Sequence, residues 1–310
     1  MLRERLLDIL FREDVTQKEL TSRTKGSRSR VSEILGKLEE EGLIRRRRIG
    51  KRTVVVSLNH SNTLRVGILK SSEYAYVLFA LDKIRKEIPF KVTVYNNSLE
   101  ALKGLMTGSE DIVASPLISG YFFHLIDKQI KPVSGIAKGG SGILKRRDRG
   151  KIGTTPLSRM DRDSREFRNY KQVYFNSVEE MLRSYKKGEI DAVQLWEPFV
   201  SMNGGIKNNP SGTCCCLFTH SKETRSIRIF LGTYSKLVSR PLTVKEKRNV
   251  SKMMHKILGV GEKGIFESLD SYIFTSLISR EDVGRQVSAF GLPLGKEVDS
   301  FLERASEVSL

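Results

Sequence analysis

Residues 27–48 read SRSRVSEILGKLEEEGLIRRRR. Val31, Ile34, Leu35 and Leu38 recur at i, i+3, i+4 and i+7, which is the buried stripe of one helix. Ser27 is placed to cap that helix at its start, and Gly42 to end it. Leu43-Ile44 then leads into Arg45-Arg46-Arg47-Arg48 and Ile49-Gly50-Lys51-Arg52. The β-rich run Thr53-Val54-Val55-Val56-Ser57-Leu58 follows. Two strands joined at Gly50 form a hairpin with cationic sides and tip.

Working back toward the N-terminus, Leu2, Leu6, Ile9 and Leu10 lie on one helical face. Thr16-Gln17-Lys18-Glu19 is a capping box that opens a short second helix through Leu20. A basic turn, Arg23-Thr24-Lys25-Gly26, separates it from the third helix. Three helices and a basic hairpin resemble a winged helix-turn-helix. The stretch Leu38-Glu39-Glu40-Glu41-Gly42-Leu43-Ile44 is similar to the end of the recognition helix in MarR-like and related regulators. The resemblance implies an α+β winged-helix domain over residues 1–60 whose partner is double-stranded DNA. It places Ser27, Arg28, Ser29, Arg30, Ser32 and Glu33 in the major groove, with Arg28 and Arg30 on guanine edges or phosphates. It places Arg46, Arg47, Arg48, Lys51 and Arg52 on phosphate or in the minor groove. The alternatives are a solvated basic hairpin and a winged helix used for protein contact.

Charge fits a nucleic-acid partner. The 310 residues carry 54 Lys and Arg against 36 Asp and Glu, a net of +18. Residues 1–60 hold 15 basic and 9 acidic residues and are about twice as basic per residue as the rest. No stretch approaches the ~20 apolar residues of a membrane helix. The N-terminus lacks a signal peptide's apolar run, so a cytoplasmic location is expected. The three cysteines, Cys214, Cys215 and Cys216, are adjacent, which rules out a disulfide framework.

Beyond a short polar linker, His60-Ser61-Asn62, strands alternate with helices. Leu64–Leu69 reads as a strand, Ala75–Ile84 as an apolar helix, and residues 91–95, 99–106 and 111–114 as strand, helix and strand. This pattern implies an α/β domain with a largely parallel sheet. Asn97-Ser98-Leu99-Glu100, Gly108 and Asp111-Ile112-Val113 recur as Asn176-Ser177-Val178-Glu179, Gly188 and Asp191-Ala192-Val193, at offsets of 79, 80 and 80. Two copies suit two similar lobes.

The combination resembles the type II periplasmic-binding-protein fold of substrate-binding proteins for sulfonates, nitrate and thiamine-precursor pyrimidines. The residues that carry it are Gly67 to Tyr74, Tyr95-Asn96-Asn97-Ser98, Gly139-Gly140-Ser141-Gly142, Gly153-Thr154-Thr155 and Leu195-Trp196-Glu197-Pro198. The resemblance implies a two-lobe α/β domain over residues 61–310, its second lobe at roughly 151–228. The absent signal peptide departs from the exported family and leaves ligand sensing in place of transport. Ligand contacts are implied at Ser71, Ser72, Tyr74, Asn97, Ser98, Ser115, Ser141, Thr154, Thr155, Trp196 and Glu197. Hydroxyls and helix-start N–H groups suit an anionic or carbonyl-rich effector, and Trp196 suits a flat heterocycle. Ser98 and Ser177 also read as helix caps, Trp196 as core, and Gly139 to Gly142 as a turn.

Other features read blandly. Strand alternation puts Cys214 and Cys216 on one face and Cys215 on the other, too few ligands with His220 for a metal. His60, His124 and His255 form no triad or zinc motif, and Lys145-Arg146-Arg147 reads as a solvated loop. No cofactor, metal or catalytic set is expected, Glu73 and Glu197 being the only acids near the cleft loops. The expected function is a one-component transcriptional regulator, a homodimer sensing a small molecule between two lobes. The rivals are a synthase-like enzyme, a transport component, and a DNA-binding protein with a ligand-free dimerisation domain.

Overall fold

Thr16 opens its helix with both halves of the capping box. Its hydroxyl accepts from the Glu19 N–H at 3.2 Å, and the Glu19 carboxylate accepts from the Thr16 N–H at 2.8 Å. The computed structural model describes residues 2–10, 13–49, 53–58, 63–210, 212–220 and 224–305. Gly50, Lys51, Arg52 and the linker His60-Ser61-Asn62 lie outside the described residues. The chain divides into two compact units, Met1–Arg65 with Lys83–Lys91, and Val66–Asp82 with Val92–Leu310.

The first unit runs α1 (Leu2–Leu10), β1 (Val15–Thr16), α2 (Gln17–Thr24), α3 (Arg28–Glu40), β2 (Ile44–Ile49) and β3 (Thr53–Leu58). Ser27 caps α3, its side chain accepting from the Arg30 N–H at 3.3 Å. Gly42, at φ 70°, turns the chain into β2. The strands form an antiparallel sheet in the order β1-β3-β2. Leu6, Leu20, Val31, Leu35, Leu38, Ile44 and Val56 are buried together as its core. Each such side chain contributes about 1.5–3 kcal/mol relative to exposure.

The first lobe of the second unit begins with β4 (Leu64–Leu69), a 3-10 turn at Ser72–Tyr74 and α4 (Ala75–Ile84). It continues through β5 (Phe90–Tyr95), α5 (Ser98–Met106), β6 (Ile112–Pro116), α6 (Leu117–Ile126) and β7 (Lys131–Gly139). The chain then enters the second lobe: β8 (Ser141–Lys145), β9 (Gly150–Thr154), α7 (Arg159–Arg165), β10 (Tyr170–Tyr174), α8 (Val178–Lys187), β11 (Ala192–Trp196), α9 (Phe199–Met202) and β12 (Ile206–Lys207). It returns on β13 (Thr213–Thr219), followed by α10 (Arg225–Val238), α11 (Val244–Leu258), α12 (Glu262–Ser268), β14 (Tyr272–Phe274), α13 (Arg280–Ala289) and α14 (Lys296–Leu302).

The sheet orders are β14-β7-β13-β6-β4-β5 and β10-β9-β11-β8-β12. Both sheets are mixed, not largely parallel. β4 and β6 run parallel, as do β9, β10 and β11, but β13 is antiparallel to β6 and β7, and β8 to β11. The strands that carry the chain between lobes supply this reversal. They also move the second lobe to residues 141–207, not 151–228: β8 pairs with β11, whereas β13 belongs to the first lobe.

The lobes repeat one unit. β4 lies between β5 and β6, and β9 lies between β10 and β11. The sequence echo falls on α5–β6 and α8–β11. Asn97 caps α5 and Ser177 caps α8, so the caps stand in the same register as Gly108 and Gly188. The Asn-Ser pairs matched in sequence are one residue out of structural register. Ser98 is therefore inside its helix rather than its cap.

Gly139 and Gly140 make the crossover, at φ 88° and 70°. A Cβ on Gly140 would lie 1.9 Å from the Tyr272 ring, and one on Gly139 would lie 2.6 Å from the Ser271 carbonyl oxygen. The stretch is thus a close-packed crossover that only glycine fits. Helix α4, apolar on all sides, is buried from Ala75 through Leu81. Among the described residues no helix is long and apolar enough to cross a membrane.

Candidate nucleic-acid interface and candidate ligand cleft

The start of α3 presents Ser27, Arg28, Ser29 and Arg30 to solvent, with Ser32 half-buried and Glu33 exposed. Arg30 is paired with Glu33 at 2.8 Å, and Glu33 also holds Lys37 at 3.0 Å. These two cations keep the Glu33 carboxyl below its ordinary pKa, Lys37 contributing most. Arg28 has no such partner among the described residues. It borders a groove of about 600 Å³ with Thr16, Gln17, Lys18, Thr21 and Thr53.

Strand alternation divides the arginine run. Arg46 and Arg48 share the face of buried Ile44, while Arg45 and Arg47 point the other way. Arg46 is half-buried and bound to Glu39 of α3. Its Nε donates to Glu39 Oε2 at 2.7 Å and its backbone N–H to Oε1 at 3.1 Å. Arg46 thus fastens the hairpin to the helix, a structural role beside the phosphate contact expected of it. Arg47 and Arg48 are exposed. Lys51 and Arg52 lie outside the described residues.

In the second unit the lobes are closed on one another. The Trp196 indole N–H donates to the Lys70 carbonyl at 2.8 Å, and Lys70 pairs with Glu179. Ser119 Oγ reaches both Ser98 Oγ, at 2.8 Å, and the carbonyl of Leu157 in the second lobe. Leu157 has φ 48°, a rare conformation for a branched residue. Ser71 Oγ donates to the Glu197 carbonyl at 3.2 Å, and the Ser72 N–H to the same oxygen at 3.1 Å.

The expected cleft residues separate into two sets. Ser71, Ser72, Ser98, Ser115, Thr154, Thr155 and Trp196 stand at strand C-terminal ends and helix starts, where the lobes meet. Ser115 Oγ and Thr154 Oγ1 are buried without a hydrogen-bond partner, as is Glu73 Oε1. An unsatisfied buried polar group costs about 1–3 kcal/mol, so these positions would be satisfied by a polar ligand. Ser71, Ser98, Thr155 and Trp196 already make hydrogen bonds within the fold, and the other set is engaged there as well. Asn97 Oδ1 caps α5 through the Glu100 N–H at 3.0 Å. Tyr74 is buried with its hydroxyl 3.6 Å from Cys215 Sγ. Ser141 Oγ lies 3.4 Å from Asp163 Oδ2. The Glu197 carboxylate is fully buried and accepts from the Ser201 N–H and hydroxyl and the Ser271 hydroxyl, with Lys207 at 3.2 Å. Its role is to hold the crossover, a correction to its ligand assignment.

Sequence reading missed Arg159. Arg159 is the first residue of α7 in the second lobe, the helix that follows β9 as α4 follows β4. Arg159 is buried, its Nε bonded to Asp163 Oδ2 at 3.3 Å, while Arg162 bonds the other oxygen at 2.6 Å. Two buried guanidiniums share one carboxylate. Burial pushes the Glu73 carboxyl up to about 7, against the opposing pulls of the Cys215 thiol and the Arg159 charge. The lobe duplication was the available signal: the loop after β9 had to match the loop after β4.

The cysteines depart from strict alternation. Register shifts in the β13–β7 pairing flank Cys215, and a bulge of this kind turns a side chain off its face. Cys214 and Cys215, not Cys214 and Cys216, lie side by side, with Sγ atoms 3.8 Å apart. His220 is remote in role, bonded to Asp127 at 3.0 Å.

A family model described as a domain of unknown function (DUF7343) matches residues 2–59. A search of curated proteins finds no match. Among solved structures, the chain is similar to the ligand-binding component of an ABC-type import system from Staphylococcus aureus, with zinc bound, at 12% identity and TM-score 0.66, covering 76% of this chain and 95% of that one. It is similar to the alkanesulfonate-binding protein SsuA from Xanthomonas axonopodis pv. citri bound to MOPS, at 14% identity and TM-score 0.58, covering 75% and 95%. A third is the Candida albicans CA3427 gene product, described as exhibiting the generic periplasmic binding protein structural fold, at 12% identity and TM-score 0.60, covering 78% and 95%. At these identities the likeness is one of fold. The two-lobe unit has the periplasmic-binding-protein fold.

Proposed function

We propose that the chain is a one-component transcriptional regulator. On this reading residues 1–60 form a winged helix-turn-helix, related to MarR-like regulators, that binds double-stranded DNA. The two-lobe unit binds a small effector. The observation that carries the reading is the arrangement around α3: a capped helix start with Arg28 and Ser29 exposed, next to a hairpin that presents Arg47 and Arg48. A helix of this kind suits the major groove, and cationic strands beside it suit phosphate.

The effector is an anion. Arg159 and Arg162, both bonded to Asp163, bring two guanidiniums to the start of α7, and the hydroxyls of Ser115 and Thr154 are buried without a hydrogen-bond partner where the lobes meet. The similarity to a sulfonate-binding protein agrees with that chemistry. On this reading the unit binds rather than catalyses. The protein acts in the cytoplasm, where DNA is available, and as a homodimer on paired half-sites. Effector favours the closed arrangement of the lobes and changes DNA affinity, provided that it binds the two arrangements unequally.

The test is fluorescence anisotropy with DNA from the protein's own upstream region, compared with random DNA, and with sulfonates and carboxylates added in turn. Sequence-selective binding modulated by one of these anions supports the reading. Equal, weak binding to both DNAs overturns it. Sedimentation of the DNA complex as a single chain overturns the dimer.

A further inference from the structure

We propose that Glu73, Cys214 and Cys215 form a binding site for one tetrahedral divalent metal ion of the zinc type. The proposal stands independently of whether the first unit binds DNA.

One carboxylate oxygen of Glu73 and both sulfurs lie within 4.8 Å of one another, and all three residues are buried. The sulfurs are 3.8 Å apart. Two sulfurs bound at ~2.3 Å and subtending a tetrahedral angle stand ~3.8 Å apart, whereas a linear two-coordinate ion with such bonds needs ~4.6 Å. The spacing therefore matches a tetrahedral ion. The cysteines are free thiols, not a disulfide. Glu73 Oε1 is buried without a partner, which leaves a ligand atom unused beside the two sulfurs.

The charge left on the site is small. Each thiol, and the Glu73 carboxyl where it is protonated, releases its proton to solvent on binding, so two thiolates, one carboxylate and a dication carry a net charge of −1. Arg159, itself bonded to Asp163, lies within electrostatic reach of Glu73 and tempers that charge. The fourth position falls to water or to the Tyr74 hydroxyl, which is already 3.6 Å from Cys215 Sγ. Glu73 belongs to the first lobe and Arg159 to the second, so the cluster lies where the lobes meet and gains access to solvent when they part. Cys216 packs instead in the first-lobe core with Phe218 and Val113.

The test is a titration of the reduced, chelator-treated full-length protein with Co(II), followed by displacement with Zn(II). The expected result is one Co(II) per chain, with thiolate-to-cobalt charge-transfer absorption and tetrahedral d–d bands that zinc abolishes. Cys214→Ser and Cys215→Ser each weaken binding at least tenfold and diminish the charge-transfer band. Glu73→Gln weakens binding with that band retained, and Cys216→Ser matches the parent. X-ray absorption on the zinc-loaded parent needs no variant: two sulfurs near ~2.3 Å and light atoms near ~2.0 Å are expected. Absence of the charge-transfer band, its persistence at full intensity in Cys215→Ser, or a shell of light atoms alone overturns the site.

Discussion

The indole N–H of Trp196 donates to the carbonyl oxygen of Lys70 at 2.8 Å, and so joins the last residue of β11 in the second lobe to the loop after β4 in the first. The single tryptophan acts here through its polar edge. Its ring meets Phe199 edge-on, with centroids 6.0 Å apart. A net hydrogen bond contributes about 1 kcal/mol. Trp196→Phe should therefore loosen lobe closure while sparing the lobes. Hydrogen exchange at residues 70–73 should speed up about fivefold, with little change in melting temperature. Unchanged exchange would mean that the bond does not hold the lobes.

The split of the arginine run gives separable outcomes. Arg46→Ala removes the tie to Glu39 and should lower the stability of the first unit by about 0.5–1 kcal/mol. Arg47→Ala and Arg48→Ala should leave stability unchanged. Each should instead flatten the dependence of DNA affinity on salt by ~0.9 in log–log slope, the value for one lost phosphate contact. Arg28→Ala should reduce preference at one base step, by about 1–3 kcal/mol if it reads a guanine edge. Thermal melts and salt titrations of the four variants check these assignments.

Much of this was legible from local rules. The capping box at Thr16, the cap at Ser27, the turn at Gly42 and the helix Ala75–Ile84 follow from short-range chemistry, which the sequence displays directly. The features that escaped depend on partners distant in sequence. β8 joins the second lobe because it pairs with β11, some 50 residues later. The Cys214–Cys215 contact depends on a bulge against β7, which no alternation rule anticipates. Glu39 and Arg46 are only seven residues apart, but their bond depends on how the hairpin folds back on α3. Arg159 became a site residue only once the two lobes were seen as copies of one topology.

The crossover glycines offer a test of the packing there. Gly140→Ala places a Cβ against the Tyr272 ring at a φ that alanine resists. A loss of about 2 kcal/mol or more is expected. Gly284→Ala, with no atom within 4 Å of its added Cβ in α13, should be neutral or slightly stabilising. Denaturant melts of both variants compare the two. Equal stability would show that the crossover tolerates side chains.

Glu73 sets a pH dependence of stability. Its carboxyl is pushed from an ordinary 4.5 up to about 7 by burial. The folded state thus holds a proton that the unfolded state has lost between these values. The relative stability is fully present below about 4.5, falls as pH rises toward 7, and is level above it. The loss amounts to a few kcal/mol in the metal-free protein. Glu73→Gln should flatten this part of the curve. A parent protein whose stability does not fall across that window, or a variant that keeps the same slope, would contradict the burial account.

The central claim is that one chain couples DNA binding to an anionic effector. The most direct measurement is the anisotropy of labelled upstream DNA, titrated with protein over a range of salt, without and with a sulfonate or carboxylate effector. The account predicts selective binding over random DNA, a steep salt dependence, and an affinity that shifts with effector in the parent but not in Arg159→Ala. Binding with no selectivity at any salt, or the same effector response in Arg159→Ala, would contradict it.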